Sequence, residues 1–545
     1  MSTTPPLPPL EVTHHDDPQV LREAATEDYS SHVVPRSWRL GPLSMFGAWW
    51  ALASAMFWLI IAALVALTVG TKDAIIGMVL SVVVYGAINY VLSVYAARTG
   101  TTVSLFSRSL FGSNGGVIAP LTIAIIATYF AVFEGSVIAV AFQHYFGAMD
   151  IKLWYLVVVL YSVPLVFGGL RVFLDKFNGL LFPFYVLGLG AVTIWATIKF
   201  DVSANWLTQQ PDTIAVSGPG WWWAFTVYLG DWVLMMATWD FARFARTTKR
   251  DSRINGWFTF GPGFYLFTIL INGIIGIFIA LTIPTDGPLS EISGVVGIVQ
   301  LMGIWGLLFV WVSQTRINTA NFYLATTNLE NVSAKVFKLK LPRIAWALIV
   351  GAIVYVIMLS DVFTYILAAL RYQSVLCVSW TACALVFLAC TRKRHQNTGP
   401  EWRPGRVRPV NWRSFSAWAV GTGIGMIMLS VDEQTSWTAT WALPAAFVIS
   451  AIGEWIALST GKTDVAELRR SHDPRTEVGD VWEARVRCHR CAKAYVALEM
   501  DRDPSSGHQA ICAACAQASG AFLKAAHREA SKPVSGDRQQ LSVSD

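Results

Sequence analysis

The chain has 545 residues, 54% of them hydrophobic and 14% charged, with a formal net charge of +6. That much apolar surface exceeds what one compact core can hide, which excludes a water-soluble globule and places the chain in lipid. The positive charge follows from where the basic residues collect between spans, and a nucleic-acid partner is not needed to explain it.

Residues 1–38 form a polar tail rich in proline and charge, without the apolar core and small-residue cleavage site of a secretory peptide. The first span is therefore expected to act as the insertion signal, and no lipidation motif is expected to anchor the chain. His14-His15-Asp16-Asp17 reads as a solvated polar run rather than a metal site.

Residues 39–460 hold twelve apolar runs, each long enough to cross about 30 Å of hydrocarbon at roughly 20 residues per span. Their expected limits are 42–69, 74–97, 117–142, 152–170, 180–198, 221–239, 257–283, 295–326, 343–360, 364–390, 412–430 and 438–459. With the N-terminus inside, the outer loops carry about three basic residues (Lys72, Lys152, Lys199) and the inner loops about twenty, among them Arg98, Arg171, Arg243, Lys340 and Arg392 to Arg394. Both termini are thus expected on the cytoplasmic side of the inner or plasma membrane. Trp221, Trp222 and Trp223 read as an interfacial belt at an outer boundary.

Four features inside the spans carry chemistry. The first span contains Trp49-Trp50-Ala51-Leu52-Ala53-Ser54, small and weakly polar, and the sixth contains Tyr228-Leu229-Gly230-Asp231-Trp232. They lie five spans apart, as the paired broken helices of a five-plus-five inverted repeat would. The third span holds Glu134, and the eighth the polar run Ser313 to Asn321 with a full charge at Arg316. An intramembrane charge costs roughly 2.5–3.5 kcal/mol even on lenient insertion scales and marks a working site. Cys377, Cys383 and Cys390 share one helix and read as packing residues.

Beyond the spans come a charged linker, 461–482, a cysteine-containing module, 483–530, and a disordered tail, 531–545. Cys488-His489-Arg490-Cys491 and Cys512-Ala513-Ala514-Cys515 have the two-knuckle spacing of a tetrahedral four-thiolate zinc site. Disulfides are the alternative, which a cytoplasmic location disfavours. Ala494 to Met500 is expected as a strand, 503–507 as a turn, Gln509 to Ile511 as the return strand and Gln517 to Arg528 as a helix. So small a segment is expected to draw its folding energy from structural Zn2+. The partner of this tail is not written in the sequence.

Several motifs together resemble the nucleobase:cation symporter family of purine and cytosine permeases and hydantoin and allantoin transporters. They are Ala97-Arg98-Thr99-Gly100, Leu110-Phe111-Gly112 with Gly115, Gly168-Gly169-Leu170, Asp240 to Phe244, Thr319-Ala320-Asn321, Tyr372-Gln373-Ser374-Val375 and Ser379-Trp380, in family order over most of residues 36–460. The resemblance implies an all-α membrane protein with twelve transmembrane helices: a five-plus-five inverted-repeat core, also seen in leucine-type transporters, plus two extra helices. It further implies a secondary active transporter that imports a nucleobase or related planar heterocycle by alternating access. In similar proteins an aromatic from the third helix and one from the sixth sandwich the ring and the Asn of the eighth hydrogen-bonds its edge; here these are Tyr129, Trp232 and Asn321.

Those residue types suit a flat ring. Stacking contributes about 1–3 kcal/mol per base, and an Asn amide offers donors and an acceptor to a lactam or amidine edge. Helix packing is the plain alternative for all three. Asp231 and Glu134 are expected to act in coupling as proton carriers, Asp231 also binding the ring, or else to serve as counter-ions for Arg316. In sodium-coupled relatives the eighth helix supplies hydroxyl oxygens just before the Asn; here the second hydroxyl position is Arg316, leaving Thr315. A guanidinium has only donors and repels Na+, so uptake is expected to be sodium-independent and coupled to H+ or exchange, unless Arg316 faces a water-filled vestibule. A membrane-embedded enzyme finds no support, since no nucleophile motif or metal-ligand set lies within the spans. A transporter-like sensor signalling through the zinc module is the second reading.

Overall fold

The computed structural model describes residues 7–25, 27–168, 170, 174–200, 202, 204–211, 216–284, 289–339, 341–360, 366–391, 399–431, 436–460 and 467–531. Gly169, Arg171, Lys340, Arg392, Lys393, Arg394, the start of the linker and the tail beyond Ser531 lie outside them.

The first span is two helices, α1 (Pro42–Trp49) and α2 (Phe57–Val69), meeting at a 43° bend. Then come α3 (Thr71–Thr99), α4 (Val103–Gly115), α5 (Ile118–Phe146), α6 (Ile151–Ser162) and α7 (Asp175–Lys199). The sixth span is again two helices, α8 (Gly220–Tyr228) and α9 (Val233–Ala242), split by a 3-10 turn at Leu229–Asp231. The seventh, α10 (Lys249–Thr282), contains wide turns at Asn255–Thr259 and Leu266–Ile271 around Pro262, which has no N–H to donate. The remainder are α11 (Glu291–Met302), α12 (Ile304–Val336), α13 (Arg343–Met358), α14 (Ile366–Thr391), α15 (Trp412–Ser430) and α16 (Trp437–Ser459). Among the described residues six helices are long and apolar enough to cross a membrane, seven if the bent first pair is one span. The other expected spans are helices too, but shorter, broken or, in α12, interrupted by polar residues.

The expected eighth span is corrected. Its apolar run is not one helix from 295: the chain turns at Gly303, whose φ of 58° favours glycine, and α11 folds back against α12. The two backbones touch there, since a side chain at Gly306 would strike the Ile298 carbonyl. The run between the second and third spans is likewise helical, with Arg108 and most of its neighbours buried. At Gly112 the φ of 86° lets the chain bend against the Arg408 and Pro409 carbonyls, where any Cβ would collide.

The cysteine module does not stand apart. Strand β1 (Val12–Thr13) pairs with β2 (Arg485–Arg487), which pairs with β3 (Ala494–Val496), all antiparallel. The first tail thus contributes a strand to the last module. Instead of one strand over 494–500, β3 ends in a 3-10 turn at Ala497–Glu499, and the return strand β5 (Gln509–Ile511) pairs with β4 (Asp501–Asp503). Helices α17 (Ala513–Ala518) and α18 (Gly520–Ala530) follow, and Phe522, Met500, Ile511 and Val486 form a small core.

The loop before α15 fixes the module to the bundle. Arg403 is 1% exposed, bonds both oxygens of Asp473 and of Glu401 at 2.7–2.9 Å and donates to the Met500 carbonyl at 2.7 Å. Arg406 and Arg470 converge on Asp501 at 3.2 and 2.6 Å. Burial works against the charged form of Glu401 and Asp473, but the surrounding guanidinium groups prevail and hold both well below the usual carboxylate range.

Candidate functional site

Breaking the first span frees backbone groups that must be bonded within the protein. The polar run of α12 does this. Ser313 Oγ donates to the Ser54 carbonyl, and Ser54 Oγ lies 3.1 Å from the Ser313 carbonyl and 2.7 Å from that of Ala51. Gln314 Oε1 accepts from the Met56 N–H at 3.1 Å, while its Nε2 donates to Glu134 on α5. Arg316 Nη2 donates to the Trp50 carbonyl at 3.0 Å, and its Nε to the Asn178 carbonyl of α7 at 3.1 Å. Its guanidinium lies 5.0 Å from the Phe182 ring centroid.

Arg316 is 0% exposed, so it does not face a vestibule, and among the described residues no ion pair joins it to Asp231 or Glu134. It sits on the side of α12 that meets the α1 break, among carbonyls. Thr315 points elsewhere, its Oγ1 3.0 Å from the Tyr161 hydroxyl of α6. In the sixth span the freed carbonyls of Tyr228 and Gly230 accept from Tyr85 and Ser374.

Between the two breaks lies a small cavity. Glu134, Asp231 and Asn321 supply its polar groups, and Phe57, Trp58 and Phe130 its aromatic walls. Asn321 Nδ2 is buried with no acceptor among the described residues. A second, wider cavity shares Phe57 and Asp231 and runs past Thr68, Trp223, Arg371 and Thr440. These belong to the span ends remote from the tails, so Asp231 stands at the neck of a passage toward that far end.

Two expected residues lie outside the lining of this cavity. Tyr129 does not line the central cavity; Phe130 does, because Ala127, Phe130 and Glu134, at i, i+3 and i+7, fall on one helix stripe. Trp232 does not line it either. It follows the 3-10 turn that aims Asp231 inward, and its ring packs edge-on to Tyr85 and Phe447 at 5.9 and 5.7 Å. Trp58 and Phe57 were missed, although aromatic residues directly after a helix break were a signal that could have found them.

The tail-bearing end is closed. The strap running from Glu27 to Leu40 crosses it, and the buried Arg243 donates to the carbonyls of Asp28, at 3.0 Å, and Tyr29. Arg343 Nη1 meets the Asp28 carboxylate at 2.5 Å. On the outer side of the strap His32 stacks on Tyr495 at 3.7 Å and meets Glu499 at 2.6 Å. Burial works to lower the His32 pKa, but the Glu499 carboxylate outweighs it and leaves it raised.

The module can hold a metal ion. The Sγ atoms of Cys488, Cys491, Cys512 and Cys515 all lie within 4.8 Å of one another, with Cys491 and Cys512 at 3.9 Å. Tetrahedral zinc with bonds of about 2.3 Å places its sulfurs about 3.8 Å apart, so the donor set fits. The Cys512 N–H points at Cys488 Sγ, 3.3 Å away, a contact that steadies a thiolate ligand.

No protein-family model and no curated protein matches the chain. Solved structures do. Mhp1, a nucleobase-cation-symport-1 family transporter, in a closed conformation with bromovinylhydantoin bound, superposes with a TM-score of 0.62 at 15% identity, over 79% of this chain and 96% of that one. An inward facing conformation of Mhp1 gives 0.62 at 14% identity, over 78% and 92%. A Na+-coupled sialic acid symporter in a substrate-bound outward-open state gives 0.58 at 11%, over 82% and 94%. The chain is thus a multi-pass membrane protein with the fold of these transporters, and it carries a four-cysteine cluster at its C-terminal end.

Proposed function

We propose that the chain is a secondary active transporter that imports a planar heterocycle of the cytosine, purine, uracil, hydantoin or allantoin class by alternating access. The observation that carries this reading is the central cavity: aromatic walls, one unpartnered amide and two carboxyls, at the meeting of two broken helices. Aromatic walls hold the faces of such a ring and the polar groups read its rim. Asn321 and Asp231 bind the edge, Trp58 and Phe130 the faces. In Mhp1, of the same fold, the bound molecule is a hydantoin.

Coupling in this reading is to H+, with Asp231 and Glu134 as the carriers and no Na+ requirement. Arg316 supports it. Its donors occupy one carbonyl at the α1 break, that of Trp50, and one on α7, that of Asn178, and a fixed positive charge there repels a metal cation. The membrane is the cytoplasmic one, with both termini inside, and the four cysteines hold structural Zn2+. Uptake of labelled cytosine, adenine, uracil and allantoin into cells expressing the protein, with Na+ replaced by choline, tests the whole. Accumulation of one of them in choline is expected. A strict Na+ requirement would refute the coupling, and saturable binding without flux would favour a sensor instead.

A further inference from the structure

The cysteine module and the bundle leave a polar cleft between them. Its walls are α4, the last turns of α12, the strap at Ser30–His32 and the module around Lys493 and Tyr495. The acids nearby already have partners. Glu27 accepts from Lys493 at 3.4 Å, Glu499 is bonded by His32 and by the Val33 N–H at 2.8 Å, and Glu330 lies with Ser30 and Arg343.

Two cations in the cleft are not so placed. Arg108 is 7% exposed, and its Nη1 is buried without an acceptor among the described residues. Lys335, on the last turn of α12, is near enough for the two charges to repel. Burial pushes the Arg108 guanidinium down to about 10 against the opposing pull of the Glu499 carboxylate, and burial together with Arg108 pushes the Lys335 ammonium down to about 8. A buried guanidinium with an unmet donor beside a second cation is costly as it stands and is relieved by an oxyanion that accepts from both. The thiolate cluster forms another wall and is anionic even when it holds a divalent metal, so an anion belongs at the bundle side.

We propose that this cleft binds a small soluble phosphate or phosphate monoester, with Arg108 donating to its oxygens and Lys335 adding a point charge. Because the walls come from bundle, strap and module together, the bound anion ties the three to one another in the form whose tail-bearing end is closed. A lipid phosphate headgroup offers the same chemistry, and the test separates the two.

The full-length protein, with its metal content measured, is titrated with inorganic phosphate and with AMP in lipid-free micelles, chloride serving as control at equal ionic strength. Saturable heat of binding and a raised unfolding temperature are expected, with binding weakened about tenfold or more in Arg108→Gln and in Lys335→Gln and partly kept in Arg108→Lys, the metal content being unchanged. Should Arg108→Gln fail to fold, Lys335→Gln and Arg108→Lys decide. No effect beyond chloride, or equal binding by wild type and both charge-removing variants, overturns the proposal. Stabilisation confined to nanodiscs containing phosphatidylglycerol, and lost in the same variants, assigns the cations to lipid and overturns the soluble ligand.

Discussion

Arg316 is held by geometry that a substitution should expose. Its removal takes a charged donor from the Trp50 carbonyl, which keeps the Ala53 N–H at 3.3 Å, and from the Asn178 carbonyl, a hydrogen bond to a charged group contributing about 1.5–3 kcal/mol. Arg316→Ser restores a hydroxyl where sodium-coupled proteins of the resembled family have one. It is expected to abolish uptake in choline, and whatever uptake Na+ then restores would mark the cation taking the guanidinium's place. Na+-independent uptake by this variant at the wild-type rate would show that Arg316 plays no such part. The cavity walls give a second contrast. Phe130→Ala is expected to weaken apparent affinity roughly tenfold, the low end of what lost stacking costs, with Tyr129→Ala nearly neutral; the reverse order would return Tyr129 to the site. Asp231, Glu134 and Asn321 were legible in the sequence because a polar group in an apolar run stands out. Phe130 was not: one residue along a helix turns the side chain by about 100°, and among so many aromatics composition cannot tell neighbours apart.

At the scale of elements, the spans were readable from their apolar runs, whereas the turn at Gly303 hid inside one, since nothing polar marks it. The module shows the opposite balance. Its cysteine spacing was plain, but its attachment rests on Arg403 meeting Asp473, and Arg406 and Arg470 meeting Asp501, across 31–95 residues of chain, a pairing no local pattern encodes. The sign of its pH dependence follows. Glu401 and Asp473 have folded pKa values below their ordinary 4.5 and 3.8, so their contribution is present above those values and is lost only as pH falls beneath them. The protection of β4 and β5 against hydrogen exchange, taken relative to the intrinsic rate at each pH, is therefore expected to hold from about pH 8 to 5 and to fall in stronger acid. Arg403→Gln, which leaves two carboxylates without their shared partner, should lower it at neutral pH as well. Unchanged protection in that variant would remove the network from the account. Under the proposed structural Zn2+, Cys488→Ser is expected to lower the zinc content of the purified protein, and an unchanged metal content would reject the four-thiolate assignment.

Across the whole molecule, the two ends of the bundle differ. The wide cavity reaches from Asp231 to the span ends remote from the tails, while the strap, pinned by Arg243 and Arg343 at Asp28 and Tyr29 and covered by the module, seals the tail-bearing end. This closure could not be read from the sequence, because the contact between Asp28 and Arg343 joins residues 315 apart. In the proposed alternating access the seal must break, so its ion pair should set the balance between the two forms. Weakening it with Asp28→Asn removes one charge-assisted bond, which is about 1.5–3 kcal/mol of differential stability and shifts the populations by roughly ten- to a hundredfold toward the form open at the tail-bearing end. A membrane-impermeant thiol reagent reports the shift: at a cysteine placed at Thr68, at the far end of the wide cavity, labelling should fall in Asp28→Asn, and at one placed at Tyr323, beneath the strap, labelling from the tail side should rise. If both sites label as they do with Asp28 in place, the strap is a fixture of the fold and the gate lies elsewhere.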